Sequence, residues 1–343
     1  MRNDKEKMTK KDLRIVYMGT PDFAVESLRA LVEGGYNVVA VITMPDKPMG
    51  RHGSVLQPSP VKQYAVEHGL KVLQPEKLKD PAFVEELRQL KADLQIVVAF
   101  RMLPEVVWSM PPLGTFNAHA SLLPKYRGAA PINWAVINGE TETGITTFFL
   151  KHEIDTGDII QQVRIPIADT DNVGDVHDKL MVLSGQLVTE TVDNIIAGTV
   201  TSIPQDQFKD IPLTPAPKIF RETCRIDWNQ PTKKVYDFIR GLSPYPAAWT
   251  TLEGKSVKIY EAETLSALKG ISPVKGENHT ECMPGTISLG NEPHGAARGG
   301  ENLRVATADG WLNIKVLQLE GKKKMPVEDL LRGLKLGENA FFV

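Results

Sequence analysis

Residues 13–18, 37–43 and 94–100 are apolar at nearly every position, and each run is too short for a helix. A strand with one wet face alternates apolar and polar side chains. One that does not alternate has to be covered on both faces, as in a parallel sheet flanked by helices. The intervening segments supply such helices. Residues 23–31 have helical spacing and stop at Gly34-Gly35. Ser59-Pro60 sets a capping hydroxyl before a first-turn proline, with Gly69 as the stop, and Asp80-Pro81 repeats that start signal for a helix through Leu90. The first half therefore reads as an α/β, Rossmann-like domain with a mainly parallel sheet, and 94–100, the most apolar run, is expected at its centre. The turn at Gly19-Thr20-Pro21 lacks a Gly-x-Gly-x-x-Gly pattern, which argues against a dinucleotide cofactor.

The side chains with chemical use cluster farther on. Residues 113–117 read as the end of a buried strand, and extended geometry would turn Asn117 and His119 to the same side. An amide donor beside a titratable imidazole suits a developing oxyanion. A second strand, 145–150, leads into His152-Glu153-Ile154-Asp155-Thr156-Gly157-Asp158, where the Asp155 carboxylate can reach His119 and govern its charge. Ligands of open α/β sheets bind beyond the carboxyl ends of the strands. The turn Arg101-Met102-Leu103-Pro104, the Asn117/His119 strand end and the Asp155 loop are thus expected to line one crevice. Ser121 has no evident base and is not expected to be a nucleophile. Asp175, His177 and Asp178, at the start of a helix over 176–196, read as a solvated first turn rather than a metal site.

The character of the chain changes at residues 204–217, where Pro204, Pro212, Pro215 and Pro217 make a stiff linker. Beyond it one helix is expected, around 232–240. Short strands are expected at 248–252, 257–262, 285–289, 303–307 and 311–318, the last two joined at Asp309-Gly310, together a small β-barrel. Residues 270–282 and 290–300 read as long mobile loops. The resulting division is a tail at 1–12, a catalytic domain at 13–203, the linker, and a barrel domain at 218–343. Lys and Arg against Asp and Glu number 21 to 25 in residues 1–204 and 19 to 17 thereafter, too even for charge alone to identify a nucleic-acid partner. Residues 44–57 read as a long polar loop carrying Lys47, Arg51 and His52, and Lys322, Lys323 and Lys324 form a basic run. No apolar run approaches the ~20 residues that span a bilayer. Cys224 and Cys282, far apart and without ligand-type neighbours, read as reduced thiols of a cytosolic protein.

Asn117-x-His119-x-Ser121-Leu122-Leu123-Pro124, then Arg127-Gly128, Pro131 and Asp155-Thr156-Gly157-Asp158, occur in the order of the formyltransferases that use 10-formyltetrahydrofolate, and the chain resembles that family. With Met44-Pro45-Asp46-Lys47-Pro48-Met49-Gly50-Arg51 and a long C-terminal region, it is most similar to the members that act on tRNA. The resemblance implies a Rossmann-like formyltransferase domain followed by an OB-like barrel that helps hold tRNA. It implies 10-formyltetrahydrofolate as formyl-donor substrate, no metal, methionyl initiator tRNA as acceptor, a cytoplasmic role in translation initiation and a monomer. Asn117 and His119 would donate to the oxyanion, and Asp155 would hold His119 and help remove the amine proton through water. Ser121, Leu122, Leu123 and Pro124, with Phe100 and Met102, would form the folate site, and Arg127-Gly128 would lie near the acceptor. Lys47, Arg51, His52, Lys322, Lys323 and Lys324 would meet tRNA. Other acceptors for the same chemistry are glycinamide ribonucleotide, a nucleotide amino sugar or water. A non-catalytic RNA-binding protein on this scaffold is a further alternative. The 44–57 segment and the C-terminal half favour tRNA, since a purine-pathway formyltransferase would be expected to end near residue 204.

Overall fold

The computed structural model describes residues 8–49, 55–264, 282–291, 301–333, 336 and 340–343. Two compact units emerge: Met1–Pro131 with Glu142–Pro166 and His177–Ala216, and Ile132–Thr141 with Ile167–Val176 and Pro217–Val343.

The first unit is built from β1 (Arg14–Gly19), α1 (Phe23–Glu33), β2 (Asn37–Ile42), β3 (Lys47–Met49), β4 (Val55–Gln57), α2 (Pro60–Glu67), β5 (Val72–Leu73), α3 (Pro81–Gln89), β6 (Leu94–Val98), α4 (Glu105–Trp108), β7 (Thr115–His119) and β8 (Arg127–Gly128). The chain continues through α5 (Pro131–Ile137), which from Ile132 belongs to the second unit, then β9 (Glu142–Phe149), β10 (Ile159–Pro166), α6 (Val173–Ala197), whose first residues to Val176 also belong to the second unit, and β11 (Pro215–Ala216). Seven strands form one sheet in the order β10-β9-β7-β6-β1-β2-β5, so β6 is central, as its unbroken apolar character requires. The pairs from β7 through β6, β1 and β2 to β5 are parallel, whereas β9 and β10 add antiparallel strands beyond β7. The capping signals act as expected. Ser59 Oγ accepts from Lys62 N at 3.0 Å and Asp80 Oδ1 from Ala82 N at 3.0 Å, each satisfying an orphan amide of a first turn.

Two segments differ from their sequence reading. Residues 44–57 hold a small hairpin, β3 against β4 with Lys47 opposite Gln57, rather than an open loop. Strands of three residues, one containing Pro48, carry too little periodicity to be read. Its base is held by Asp46, which accepts from Lys62 Nζ at 2.7 Å and from Gln74 Nε2 at 2.7 Å. Residues 50–54, with Arg51 and His52, lie outside the described residues. The segment read as a linker is bound to the first unit: β11 pairs in parallel with β8, and Tyr126 N donates to Thr214 O at 2.6 Å.

The second unit holds α7 (Thr232–Leu242), β12 (Ala248–Leu252), β13 (Lys255–Thr264), β14 (Ile287–Asn291), β15 (Glu301–Ala306), β16 (Trp311–Leu319), β17 (Met325–Pro326) and α8 (Val327–Gly333). The antiparallel order is β12-β13-β16-β15-β14, with β17 on β16, and β15 and β16 form the expected hairpin across Asp309-Gly310. The last residues close it into a barrel. Thr251 and Val343 exchange backbone hydrogen bonds of 3.0 Å at one edge, while Phe342 N donates to Gly285 O at 2.8 Å and Ile287 N to Ala340 O at 3.2 Å at the other. Phe342, 1% exposed, stacks on Trp228 with centroids 5.8 Å apart, in a core with Val235 and Ile239 of α7. The helix α8 escapes the sequence reading because seven residues cannot display a helical period. Most of 270–282 and 290–300, read as mobile loops, lies outside the described residues.

Candidate active site

β7 carries Asn117 and His119 at its carboxyl end, two residues apart as the extended backbone demands. The loop between β9 and β10 brings Asp155 to them. His119 Nδ1 is 3.8 Å from Asp155 Oδ2, and the two side chains are only 8% and 10% exposed. His119 Nε2 lies 2.8 Å from the carbonyl oxygen of Tyr126; since a carbonyl can only accept, Nε2 carries a hydrogen. The face turned to Asp155 is then the nitrogen at which protonation makes an ion pair. Phe148 packs edge-on against the imidazole at 6.4 Å and lines the pair with apolar surface.

Asp155 itself is constrained from several sides. Its φ of +56° is in the left-handed region, a conformation that costs a non-glycine residue about 1–2 kcal/mol. Its Oδ2 accepts from Gly128 N at 2.9 Å. The loop can turn back on β9 only because Gly157 lacks a side chain: a Cβ there would fall 1.5 Å from Phe149 O. His152, earlier in the same loop, approaches Glu105 Oε1 at 3.5 Å and meets the Trp108 ring edge-on at 5.4 Å. The Asp155 loop therefore touches both the His119 strand end and the segment after β6. Asn117 Oδ1 is buried without a partner among the described residues. A buried orphan of this kind costs about 1–3 kcal/mol, and this one sits at the strand end beside the His119–Asp155 pair.

The Ser-Leu-Leu-Pro turn is stapled to β9 and β10. Thr146 Oγ1 donates to Ser121 O at 2.6 Å and accepts from Leu123 N at 3.1 Å, and Gln162 Nε2 donates to Leu123 O at 2.8 Å. Ser121 is fully buried and its hydroxyl donates to Lys125 O at 2.8 Å, a carbonyl that cannot act as its base, so it is not placed as a nucleophile. Leu123 is buried with Phe148 and Ile159, and the Leu123-Pro124 peptide is cis. Leu122 is half-buried, beside Gly144. In the turn after β6, Phe100 packs at the margin of the sheet core whereas Met102 is 69% exposed. Met102 is thus free to meet a ligand, while Leu103 is the core residue. Arg101 is anchored to the carbonyls of Glu76 and Pro75, and burial lowers its pKa. Arg127 turns its guanidinium to Gln205 Oε1, at 3.1 Å from Nε and 2.7 Å from Nη2. Gln205 and Tyr126 carry no sequence signal: one lies among linker prolines and the other acts through its main chain.

Lys47 is exposed on β3. In the second unit Lys322, Lys323 and Lys324 are exposed, with Lys324 Nζ 4.5 Å from the centre of the Tyr260 ring. Among the described residues no three His, Cys, Asp or Glu side chains form a metal-type cluster, and no helix is long and apolar enough to cross a membrane. His177 is engaged with Asp178 at 3.0 Å and packs against Phe23.

A Rossmann-like, mostly parallel sheet followed by an antiparallel barrel is the architecture of formyl-group transferases. The chain belongs to the formyl transferase family: residues 13–192 match the family "Formyl transferase" and residues 218–335 match "Formyl transferase, C-terminal domain". Methionyl-tRNA formyltransferase of Parabacteroides distasonis is 66% identical over 335 residues, covering 96% of this chain and 98% of the relative. The Porphyromonas gingivalis protein of the same name is 45% identical over 346 residues, covering 97% and 99%. Solved folds of the same kind include WlaRD, a sugar 3N-formyl transferase, at 17% identity with a TM-score of 0.61 over 91% of this chain and 99% of that one. HypX from Aquifex aeolicus in complex with tetrahydrofolic acid has 18% identity and a TM-score of 0.60, and this chain spans half of its length.

Proposed function

We propose that this chain transfers the formyl group of 10-formyltetrahydrofolate to the amino group of methionine esterified to initiator tRNA, giving formylmethionyl-tRNA for translation initiation. The observation that carries the reading is the buried His119–Asp155 pair two residues along β7 from Asn117, in a chain 66% identical over nearly its full length to a methionyl-tRNA formyltransferase.

In this reading the methionine amine attacks the formyl carbon, and the carbonyl oxygen becomes an oxyanion. The Asn117 amide donates to that oxygen. Protonation of His119 at Nδ1 turns its 3.8 Å approach to Asp155 into an ion pair, so a cation stabilised by a carboxylate stands beside the growing negative charge. An oxyanion donor such as the Asn117 amide is worth ~10² to 10³ in rate. The amine proton passes through water to Asp155, and collapse of the tetrahedral intermediate breaks the bond to the folate N10, which takes up a proton. No acyl-enzyme forms, in keeping with the engaged Ser121 hydroxyl. The folate lies against the Ser121, Leu122, Leu123 and Pro124 turn, Phe100 and Met102, the turn residues shaping the site by their backbone. Lys47 from the hairpin, Arg51, His52, and Lys322, Lys323 and Lys324 from the barrel contact tRNA phosphates. All catalytic groups come from one chain, so the reading takes a cytoplasmic monomer as its unit.

The test is formyl transfer by the purified chain, with methionyl initiator tRNA, glycinamide ribonucleotide, a nucleotide amino sugar and uncharged tRNA as parallel acceptors. Formylation of the charged tRNA alone supports the reading. Consumption of the folate with another acceptor would remove the tRNA assignment while keeping the chemistry, and no consumption at all would leave a binding protein.

A further inference from the structure

We infer that Gln205 is a positioning residue of this site, acting through Asp155. It follows the last sheet helix by sequence, in a short 3-10 turn (Gln205–Gln207) amid the prolines of the connecting segment, yet it is only 5% exposed. Its side-chain amide is completely used. Nε2 donates to Asp155 O and to Gly157 O, both at 2.8 Å, and Oε1 accepts from Arg127 Nε at 3.1 Å and Nη2 at 2.7 Å. Two donors and two acceptor lone pairs are all an amide has, so this one clamps two segments with nothing left over.

Those two segments are the ones that define the His119–Asp155 pair. One of the loop carbonyls held by Nε2 is that of Asp155 itself, whose φ of +56° is left-handed, and the other is two residues on. The strand held through Arg127 supplies Gly128 N to Asp155 Oδ2 and the Tyr126 carbonyl to His119 Nε2. The same connecting segment then pairs along that strand as β11, Pro215 opposite Arg127 and Ala216 opposite Gly128. Gln205 thus sets the distance between carboxylate and imidazole from behind, without touching substrate. A glutamate would keep the volume and the Arg127 partner while replacing both donors by oxygens facing carbonyls. A structural role alone would tolerate that change in proportion to stability; a positioning role would not.

The inference rests on the reading that Asp155 takes part in formyl transfer. Its test uses the full chain, 10-formyltetrahydrofolate and methionyl initiator tRNA, with Gln205→Ala, Gln205→Glu, Asp155→Asn and the double variant Gln205→Ala with Asp155→Asn, each checked by thermal unfolding. Misplacement by about 1 Å lowers kcat by ~10- to 100-fold for both Gln205 variants, with KM for folate and tRNA within about threefold of the parent. In the Asp155→Asn background, adding Gln205→Ala changes kcat by less than about twofold, because residues acting as a unit are not additive. Full kcat in folded Gln205→Glu, or losses that multiply in the double variant, would overturn the positioning role and leave the site reading intact. Full activity of Asp155→Asn alone would overturn both. Gln205→Glu carries the decision should Gln205→Ala fail to fold.

Discussion

His119 donates through Nε2 to the main-chain carbonyl of Tyr126 at 2.8 Å, which fixes the imidazole's tautomer and turns Nδ1 to Asp155. The residue that orients the histidine is therefore not the carboxylate alone but a backbone group seven positions along the chain. Replacing His119 with Ala is expected to lower kcat by ~10² to 10³, the worth of a preorganised charge beside the oxyanion. It takes the His119 donor from the Tyr126 carbonyl, at a cost of about 1–3 kcal/mol, so the protein stays folded. Steady-state formyl transfer together with a urea unfolding curve checks both halves; a nearly active variant would exclude the assigned role.

Gly128 has φ of +128°, and a Cβ there would stand 2.5 Å from Ala216 O, a backbone atom that cannot swing aside. Gly128→Ala is expected to strain or part the β8–β11 pair, costing about 1–3 kcal/mol. It also moves the amide that meets Asp155, so kcat should fall more than the loss of folded protein explains. Comparing kcat per folded molecule with the unfolding midpoint separates the two effects.

The hairpin that carries Lys47 has an acid-sensitive base. Hydrogen bonds from Lys62, first, and Gln74 hold the Asp46 carboxyl below its ordinary pKa. A carboxyl lowered by folding stabilises fully above the unfolded value of about 3.9 and loses that contribution as pH falls through the lower folded value. Amide protection in Lys47–Met49 and Val55–Gln57 should thus be constant from neutral pH to about 4 and drop below it. The Asp46→Asn variant, which cannot titrate there, should show no such drop.

Barrel closure depends on the final residues. Phe342→Ala removes a fully buried ring stacked on Trp228 and is expected to cost about 3–5 kcal/mol. Because that ring belongs to the barrel core, the loss should appear in tryptophan fluorescence of the C-terminal unit. Binding of tetrahydrofolate should remain within about twofold, since no folate-site residue changes.

Arg240 Nε donates to Asp237 Oδ1 at 2.8 Å, and the two residues are 5% and 4% exposed. Arg240→Leu would leave the buried Asp237 carboxylate with Lys233 as its remaining cation, 2.7 Å away, and take from the Asp171 carbonyl its 2.8 Å donor. A loss of about 1–3 kcal/mol is expected, against a smaller loss when Arg240→Leu and Asp237→Leu are combined. Thermal unfolding of the single and double variants distinguishes these outcomes.

Local chemistry made much of this protein legible in advance. Unbroken apolar runs required strands covered on both faces, and β6 is central for that reason. Ser59 and Asp80 cap their helices because a short side-chain oxygen before a proline has few other uses. The spacing of Asn117 and His119 set them on one side of β7, because strand geometry has a period of two. Tertiary structure alone decided the rest. That Asp155 meets His119 across a β-hairpin loop, that Tyr126 contributes a carbonyl, and that Gln205 among linker prolines clamps both segments are facts about distant main-chain groups, which no residue pattern encodes. Barrel closure by Ala340–Val343 is of the same kind. Side-chain periodicity reports which face of an element is buried. It carries no record of which distant backbone hydrogen bond completes that element.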